Sequence, residues 1–213
     1  MVDVYVVSAF SKNNAGGNKA GLVFDRPDLT SAQKMAIAKE LGYAETAFIT
    51  ESRSADFRLE YFTPTEEVPL CGHATIATFA FLNLTNKLSK SDYTIETKSG
   101  ILSMKVDTDG RVFMEQNVPT YSKELTSDSF NKCLDIDSID SKPDFKVMAA
   151  LSKEQNVVGV HAFSLEASES KITTICRNFA PLYDIDEESA TGTSNCALAC
   201  YLFKYVEKKS VSV

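Results

Sequence analysis

No apolar run in the sequence approaches the roughly 20 residues needed to cross a bilayer, so a spanning or anchored protein is not expected. Lys and Arg gather nowhere. The 22 basic residues against 29 acidic ones leave a net charge of −7 and a pI near 5.0, which offers no positive track to a phosphate backbone and makes nucleic acid an unexpected partner. CxxC spacing is missing as well. The five cysteines, Cys71, Cys133, Cys176, Cys196 and Cys200, form an odd set that argues against a disulfide framework or a zinc knuckle and points to a reducing cytoplasm. The apolar start from Val2 to Phe10 lacks a basic leader and contains Asp3, so it reads as a strand rather than a secretion signal.

What is present is ordinary for a globular protein: 213 residues, 44% hydrophobic and 24% charged, enough to build a core and too mixed for disorder, collagen or coiled coil. The length suits one large domain or two small ones, and the pattern must decide. A strand at Ala20–Phe24 follows the small-residue loop from Asn13 to Asn18. Thr30 and Gln33 have capping-box spacing, so a helix is predicted from there to Leu41, ended by Gly42 in a left-handed turn. Strands are predicted at 45–50 and 57–62, with Pro64 interrupting. Ser99-Gly100 and Asp109-Gly110 mark hairpins among the runs 93–97, 101–106 and 112–114. The polar segment from Pro119 to Ser141 is the expected boundary between domains 1–118 and 119–213. Beyond it we expect a short helix at 127–134, strands near 145–149, 157–163 and 172–179, and a last helix.

The two halves repeat one another. Phe62-Thr63-Pro64 answers Phe179-Ala180-Pro181; Glu66 and Glu67 precede Gly72 as Glu187 and Glu188 precede Gly192; Ala77, Phe81 and Leu82 answer Ala197, Tyr201 and Leu202. The helices after these glycines, 74–84 and 196–206, are apolar nearly all round and must be wrapped. The predicted architecture is α+β: two pseudo-symmetric antiparallel barrel-like domains, each curled about its own central helix. Two facing helix N-termini would then make a cleft that stabilises an oxyanion.

Glu45, in Ala-Glu-Thr-Ala-Phe-Ile, shares a strand face with Ala47 and Ile49. If that face is inward the carboxyl is poorly solvated, its pKa rises, and it can move protons as general acid and base. An acid at a strand end pointing into water is the commoner reading of the same residues. His73 could donate to a substrate carboxylate or simply cap the helix, and His161 reads as a satisfied core or edge residue. Glu187 and Glu188 could hydrogen-bond a substrate amine, although loop acids are usually just solvated. Cys71 could be a thiol activated by the helix N-terminus, a buried inert thiol being commoner.

Gly17-Asn18-Lys19-Ala20-Gly21, Ala44-Glu45-Thr46, Phe62-Thr63-Pro64, the run from Glu67 to Thr75 (Glu-Val-Pro-Leu-Cys-Gly-His-Ala-Thr), and Phe179-Ala180-Pro181 with Ser189 to Thr193 resemble the PhzF-like isomerases of phenazine biosynthesis. These have the diaminopimelate-epimerase-like fold. The resemblance implies two barrel-like domains with the active site between them, a homodimer, and no metal or organic cofactor. It also implies a small unsaturated amino-acid-like or carboxylate substrate, within which one glutamate moves a proton. Glu45 matches that glutamate, Gly72 and His73 match a substrate-binding Gly-His pair, and Glu188, Gly192 and Thr193 fall where the family has Asp, Gly and Ser.

The family's Asn-Pro turn is Asn18-Lys19 here. The segment after the second central helix differs too, so a shortened second domain with a partly exposed helix is expected, together with dimerisation or low stability. Racemisation by two thiols is disfavoured because the repeat mate of Cys71 is Thr191, whose hydroxyl is too weak an acid. A proton-shifting isomerase is the leading expectation. An amino-acid racemase or epimerase, or a catalytically weakened small-molecule-binding or scaffold protein, is the alternative.

Overall fold

The structure is a computed structural model that describes residues 2–13, 15–24, 29–135, 138–165 and 173–206. Two predicted features, the strand start at Ile172 and the closing segment after Val206, lie outside the described residues. The chain divides into two compact units, Met1–Asn117 and Val118–Val213.

The first unit runs β1 (Val4–Ala9), β2 (Asn18–Phe24), α1 (Ser31–Leu41), β3 (Thr46–Thr50), β4 (Phe57–Phe62), β5 (Glu67–Val68), α2 (Gly72–Leu84), β6 (Asp92–Thr97), β7 (Gly100–Val106) and β8 (Val112–Met114). Its sheet has the order β1-β2-β3-β4-β6-β7-β8, with β5 added beside β4. The expected purely antiparallel sheet is corrected here: β2 pairs with β3, and β4 with β6, in parallel. Each parallel pair needs a crossover, and α1 and α2 supply them.

The two crossover helices cover opposite faces, and the strand alternation follows. Ala47, Ile49, Leu59 and Tyr61 pack in one core with Ala74, Ala77 and Phe79 of α2, while Phe48 and Phe62 pack in another with Ala38 of α1. Central strands covered on both sides lose the polar alternation of a half-wet strand, which is why Thr46 to Ile49 are all buried. Helix α1 is built as its sequence requires. Thr30 and Gln33 form a reciprocal capping box, and Gly42 closes the helix at φ 69°.

Helix α2 is the apolar rod that the sequence demanded be wrapped. His73, Ala74, Thr75, Ala77, Thr78, Phe79 and Leu82 are buried around its circumference, and it touches β1, β2 and β3 as well as β8 from the other end of the sheet. A sheet can meet one helix with both ends only by curling about it. The threonine hydroxyls are satisfied within the helix, Thr75 donating to the Cys71 carbonyl at 2.7 Å and Thr78 to that of Ala74 at 2.8 Å.

The second unit runs α3 (Ser127–Phe130), α4 (Phe145–Gln155), β9 (Val160–Ser164), β10 (Ile175–Ala180), a 3-10 turn at Pro181–Tyr183, β11 (Ile185–Glu188) and α5 (Gly192–Tyr205). The predicted strand at 145–149 is instead the first turn of α4. Asp144 caps it by accepting from the Val147 N–H at 3.0 Å, so a short apolar run was helical all along. The sheet is small, β11-β10-β9. Around α5 the wrapping is partial: Leu198 and Leu202 are buried, whereas Tyr201 and Phe203 are 41% and 51% exposed. The described fold is thus mixed α/β, with a curled half-barrel sheet in one unit and a second small sheet in the other.

The internal repeat is visible in the elements themselves. In each unit a strand carries a buried Phe at or next to its end, a neighbour returns antiparallel to it with a glutamate pair on it or at its start, and a helix starts at glycine after an extended N-cap: β4, β5 and α2 behind Cys71 (φ −138°, ψ 109°), then β10, β11 and α5 behind Thr191 (φ −136°, ψ 126°).

Candidate active site

In the first unit the backbone brings Glu45 to α2. Its carbonyl accepts from the Gly21 N–H at 3.2 Å, which extends the β2–β3 ladder by one residue beyond the strand. Two-residue alternation then turns the Glu45 side chain to the Ala47 and Ile49 face, the face that α2 covers. Glu45 Oε2 lies 3.5 Å from His73 Nε2, with the Glu45 side chain 19% exposed and that of His73 6% exposed. The water-facing alternative for Glu45 is thereby set aside.

His73 is the second residue of α2, and its imidazole turns back into the protein. Burial pushes its pKa down to about 4, against the pull of a hydrogen bond to the Lys19 backbone, so the ring is neutral at physiological pH. On its other side, Nδ1 is 3.5 Å from Cys71 Sγ. Cys71 Sγ thus sits against one ring nitrogen of His73 and the Glu45 carboxyl against the other. Cys71 is therefore a buried N-cap residue tied to His73. It is not a thiol open to the solvent.

One ligand atom from each of Glu45, Cys71 and His73 lies within 4.8 Å of the others, so a divalent cation must be considered. The geometry disfavours it. The carboxylate approaches one ring nitrogen and the sulfur the other, whereas a single ion engages only one nitrogen of an imidazole. Around the cluster, the N–H groups of the first turn of α2, beginning at Gly72, have no intrahelical acceptor and favour negative charge in front of them.

The second unit gathers a different set. Glu188 is half-buried on β11 and accepts from Asn178 Nδ2 at 3.0 Å. Gly192 and Thr193 form the first turn of α5. Glu187, offered by the sequence as a partner for a substrate amine, is committed elsewhere. Arg177 grips it with Nε and Nη2, both at 2.8 Å, and its pKa falls because of those bonds. Neighbours on a strand point to opposite faces, so only Glu188 shares a face with Asn178. His161 is half-buried and touches Asn178 and Asn195, each at 3.1 Å.

Three contributors escaped the sequence reading: the Lys19 backbone, which holds His73; Tyr61 with Thr75, beneath Cys71; and Asn178, which holds Glu188. Lys19 and Thr75 lie inside quoted motifs, and Tyr61 and Asn178 each stand one residue before a Phe-x-Pro motif, but none of these positions announces its contact.

With this geometry in view, the comparison with known families is decisive. The phenazine biosynthesis-like family (PhzC-PhzF) matches residues 7–141 and 135–213. The chain belongs to that family. It is 32% identical over 238 residues to the uncharacterized isomerase YddE of Escherichia coli K12, covering 93% of this chain and 78% of that protein. To the uncharacterized isomerase YfhB of Bacillus subtilis it is also 32% identical over 238 residues, covering 95% and 81%. Among solved structures, the PhzF-family phenazine biosynthesis protein of Bacillus anthracis is similar with a TM-score of 0.84 at 29% identity, covering 98% of this chain and 82% of that one. A hydroxyproline epimerase from Agrobacterium vitis shares the fold, with a TM-score of 0.61 at 11% identity over 98% of this chain and 78% of its own. This PhzF-family chain therefore stands among proteins named isomerases. No helix among its described residues is long and apolar enough to cross a membrane.

Proposed function

We propose that this PhzF-family protein is an isomerase that needs no organic cofactor and moves a proton from one carbon to another of a small unsaturated amino-acid-like or carboxylate substrate. Glu45 is the group that takes the proton and returns it. The observation that carries this reading is the contact of Glu45 with a buried neutral His73 at 3.5 Å. A neutral ring brings no positive charge that would hold the carboxyl ionised, so the carboxyl can take up the migrating proton and give it back. The α2 N-terminus beside it suits a carboxylate or the enolate-like charge that forms as the proton leaves.

In this reading Gly72 and His73 bind the substrate beside Glu45, and the family resemblance adds Glu188, Gly192 and Thr193 as substrate-binding residues. Glu188, as an acid, suits an amine or hydroxyl of the substrate. The isomerase names of the curated relatives support the reaction class. A second reading, racemisation by two thiols, is not favoured: Cys71 Sγ is buried against His73, and Thr191 stands at the corresponding N-cap of α5.

The test is a panel of unsaturated amino and carboxylic acids incubated with the protein in deuterated water and followed by NMR. Deuterium arriving at a carbon other than the one that lost its proton, with the double bond displaced, is the expected result. Exchange and inversion at a single carbon would make the protein an epimerase. Thermal stabilisation by a panel member without any turnover would make it a binding protein.

A further inference from the structure

The second unit carries a row of polar side chains that the proton shift itself does not use. His161 on β9 is the register partner of Asn178 on β10, and Asn178 is the register partner of Glu188 on β11. Directly opposed residues project to one face of a sheet, so the three form a line across the strands. Asn178 donates from Nδ2 to Glu188 Oε2 at 3.0 Å and turns its Oδ1 to His161 Nδ1, 3.1 Å away. From α5, Asn195 donates from Nδ2 to the Thr191 carbonyl at 2.7 Å and turns its own Oδ1 to His161 Nε2, also 3.1 Å away.

These amide orientations are dictated by their outer partners. A carboxylate and a peptide carbonyl only accept, so each NH2 must face them and each Oδ1 must face the ring. Both nitrogens of His161 therefore meet acceptors. A neutral imidazole can donate to one of them alone and leaves the other as two lone pairs in opposition; only the doubly protonated ring satisfies both.

We propose that His161 carries a proton on each ring nitrogen and acts as a positioning residue, holding Glu188 through Asn178 and the first turn of α5 through Asn195 and Thr191. Its bearing on catalysis rests on the reading of Glu188, Gly192 and Thr193 as substrate-binding groups. Its proton inventory does not. The surrounding charges suit a cation: Glu188 stands one amide away on β11, and Asp135 and Asp140 line the same hollow of about 770 Å³ as His161. From α5, Cys196 next to Asn195 has its thiol pushed up by burial and so brings no charge. Arg177 on β10 is occupied by Glu187. When the ring loses a proton, one of its two contacts becomes repulsive. Asn178 cannot rotate in relief without turning its oxygen on the Glu188 carboxylate, so the loss must loosen Glu188 or the α5 turn.

The experiment is NMR of the full chain labelled with 15N, without any substrate. At neutral pH both His161 ring nitrogens are expected at the imidazolium position, and as pH rises and the ring titrates, the backbone amide signals of Glu188, Gly192 and Thr193 shift with the same midpoint. In Asn178→Leu, Glu188 stops following the ring while Gly192 and Thr193 continue to follow it through Asn195. If that variant does not fold, the wild-type titration decides alone. A neutral single-tautomer ring at neutral pH, or Glu188, Gly192 and Thr193 signals that ignore the ring's titration, would overturn the proposal. Either result leaves the proton-shift reading standing, and a failed substrate panel leaves the state of His161 untouched.

Discussion

The Tyr61 hydroxyl stands 2.6 Å from Thr75 Oγ1, and that hydroxyl in turn donates to the Cys71 carbonyl at 2.7 Å. With the threonine proton spent on Cys71, the phenol must be the donor, and its pKa is held far above the usual range by burial. The chain of two bonds ties β4 to the turn that presents Cys71, Gly72 and His73. Tyr61→Phe is expected to cost about 1 kcal/mol of stability, the net value of a hydrogen bond, and to slow proton transfer because His73 is less firmly seated. Chemical denaturation measures the first effect. A variant as stable as the parent would show that the bond carries nothing.

His73 makes stability depend on pH with a definite sign. Its pKa in the fold is about 4, below its ordinary value of 6.5, so between these values the unfolded chain binds a proton that the folded chain refuses. Stability is therefore complete above about pH 6.5 and falls as pH drops toward 4, by about 3 kcal/mol in all. His73→Asn should flatten this part of a plot of unfolding free energy against pH. An unchanged slope in the variant would assign the acid loss to other groups.

The loop that carries Lys19 to His73 depends on Gly17. At φ +76° a Cβ there would lie 2.2 Å from the Ala9 carbonyl oxygen, whereas at Gly16, also left-handed at φ +67°, it would meet nothing within 4 Å. Gly16→Ala is expected to cost about 1 kcal/mol for its backbone alone. Gly17→Ala should cost clearly more, with the His73 ring displaced. Equal thermal shifts in the two variants would argue against the packing described.

Beneath α1, the Lys34 ammonium meets Glu60 at 2.6 Å, their side chains 7% and 19% exposed. Breaking such a pair from one side leaves a charge in a poor solvent. Glu60→Leu is expected to cost about 3 kcal/mol, and adding Lys34→Met should recover most of that loss. A double variant no better than Glu60→Leu would show the losses to be packing rather than charge. The comparison is read from denaturation midpoints.

Much of the first unit was legible because its signals are local. The Thr30–Gln33 box, Gly42, the Ser99-Gly100 and Asp109-Gly110 turns and the all-round apolarity of 74–84 each name a structure within a few residues. The parallel pairs β2–β3 and β4–β6 were not legible, since pairing between distant segments leaves no mark on either. Residues 145–149 misled because five apolar-rich positions suit strand and helix equally, and the deciding cap, Asp144, sits outside them. At the site, Glu45 and His73 could be named, and the alternation of 45, 47 and 49 foretold the face. Their contact could not be foretold, nor the row of His161, Asn178 and Glu188, which exists only through the register of three strands.

The most direct measurement compares Glu45→Gln with Cys71→Ser on solvent deuterium incorporation into a turned-over acid from the panel. A carboxyl that carries the proton both ways should make Glu45→Gln slower by about 100-fold or more, while Cys71→Ser, which keeps a hydrogen-bonding group toward His73, stays within about tenfold of the parent, the worth of one hydrogen bond. Loss of exchange in Cys71→Ser with Glu45→Gln still active would contradict the account and hand the chemistry to the thiol.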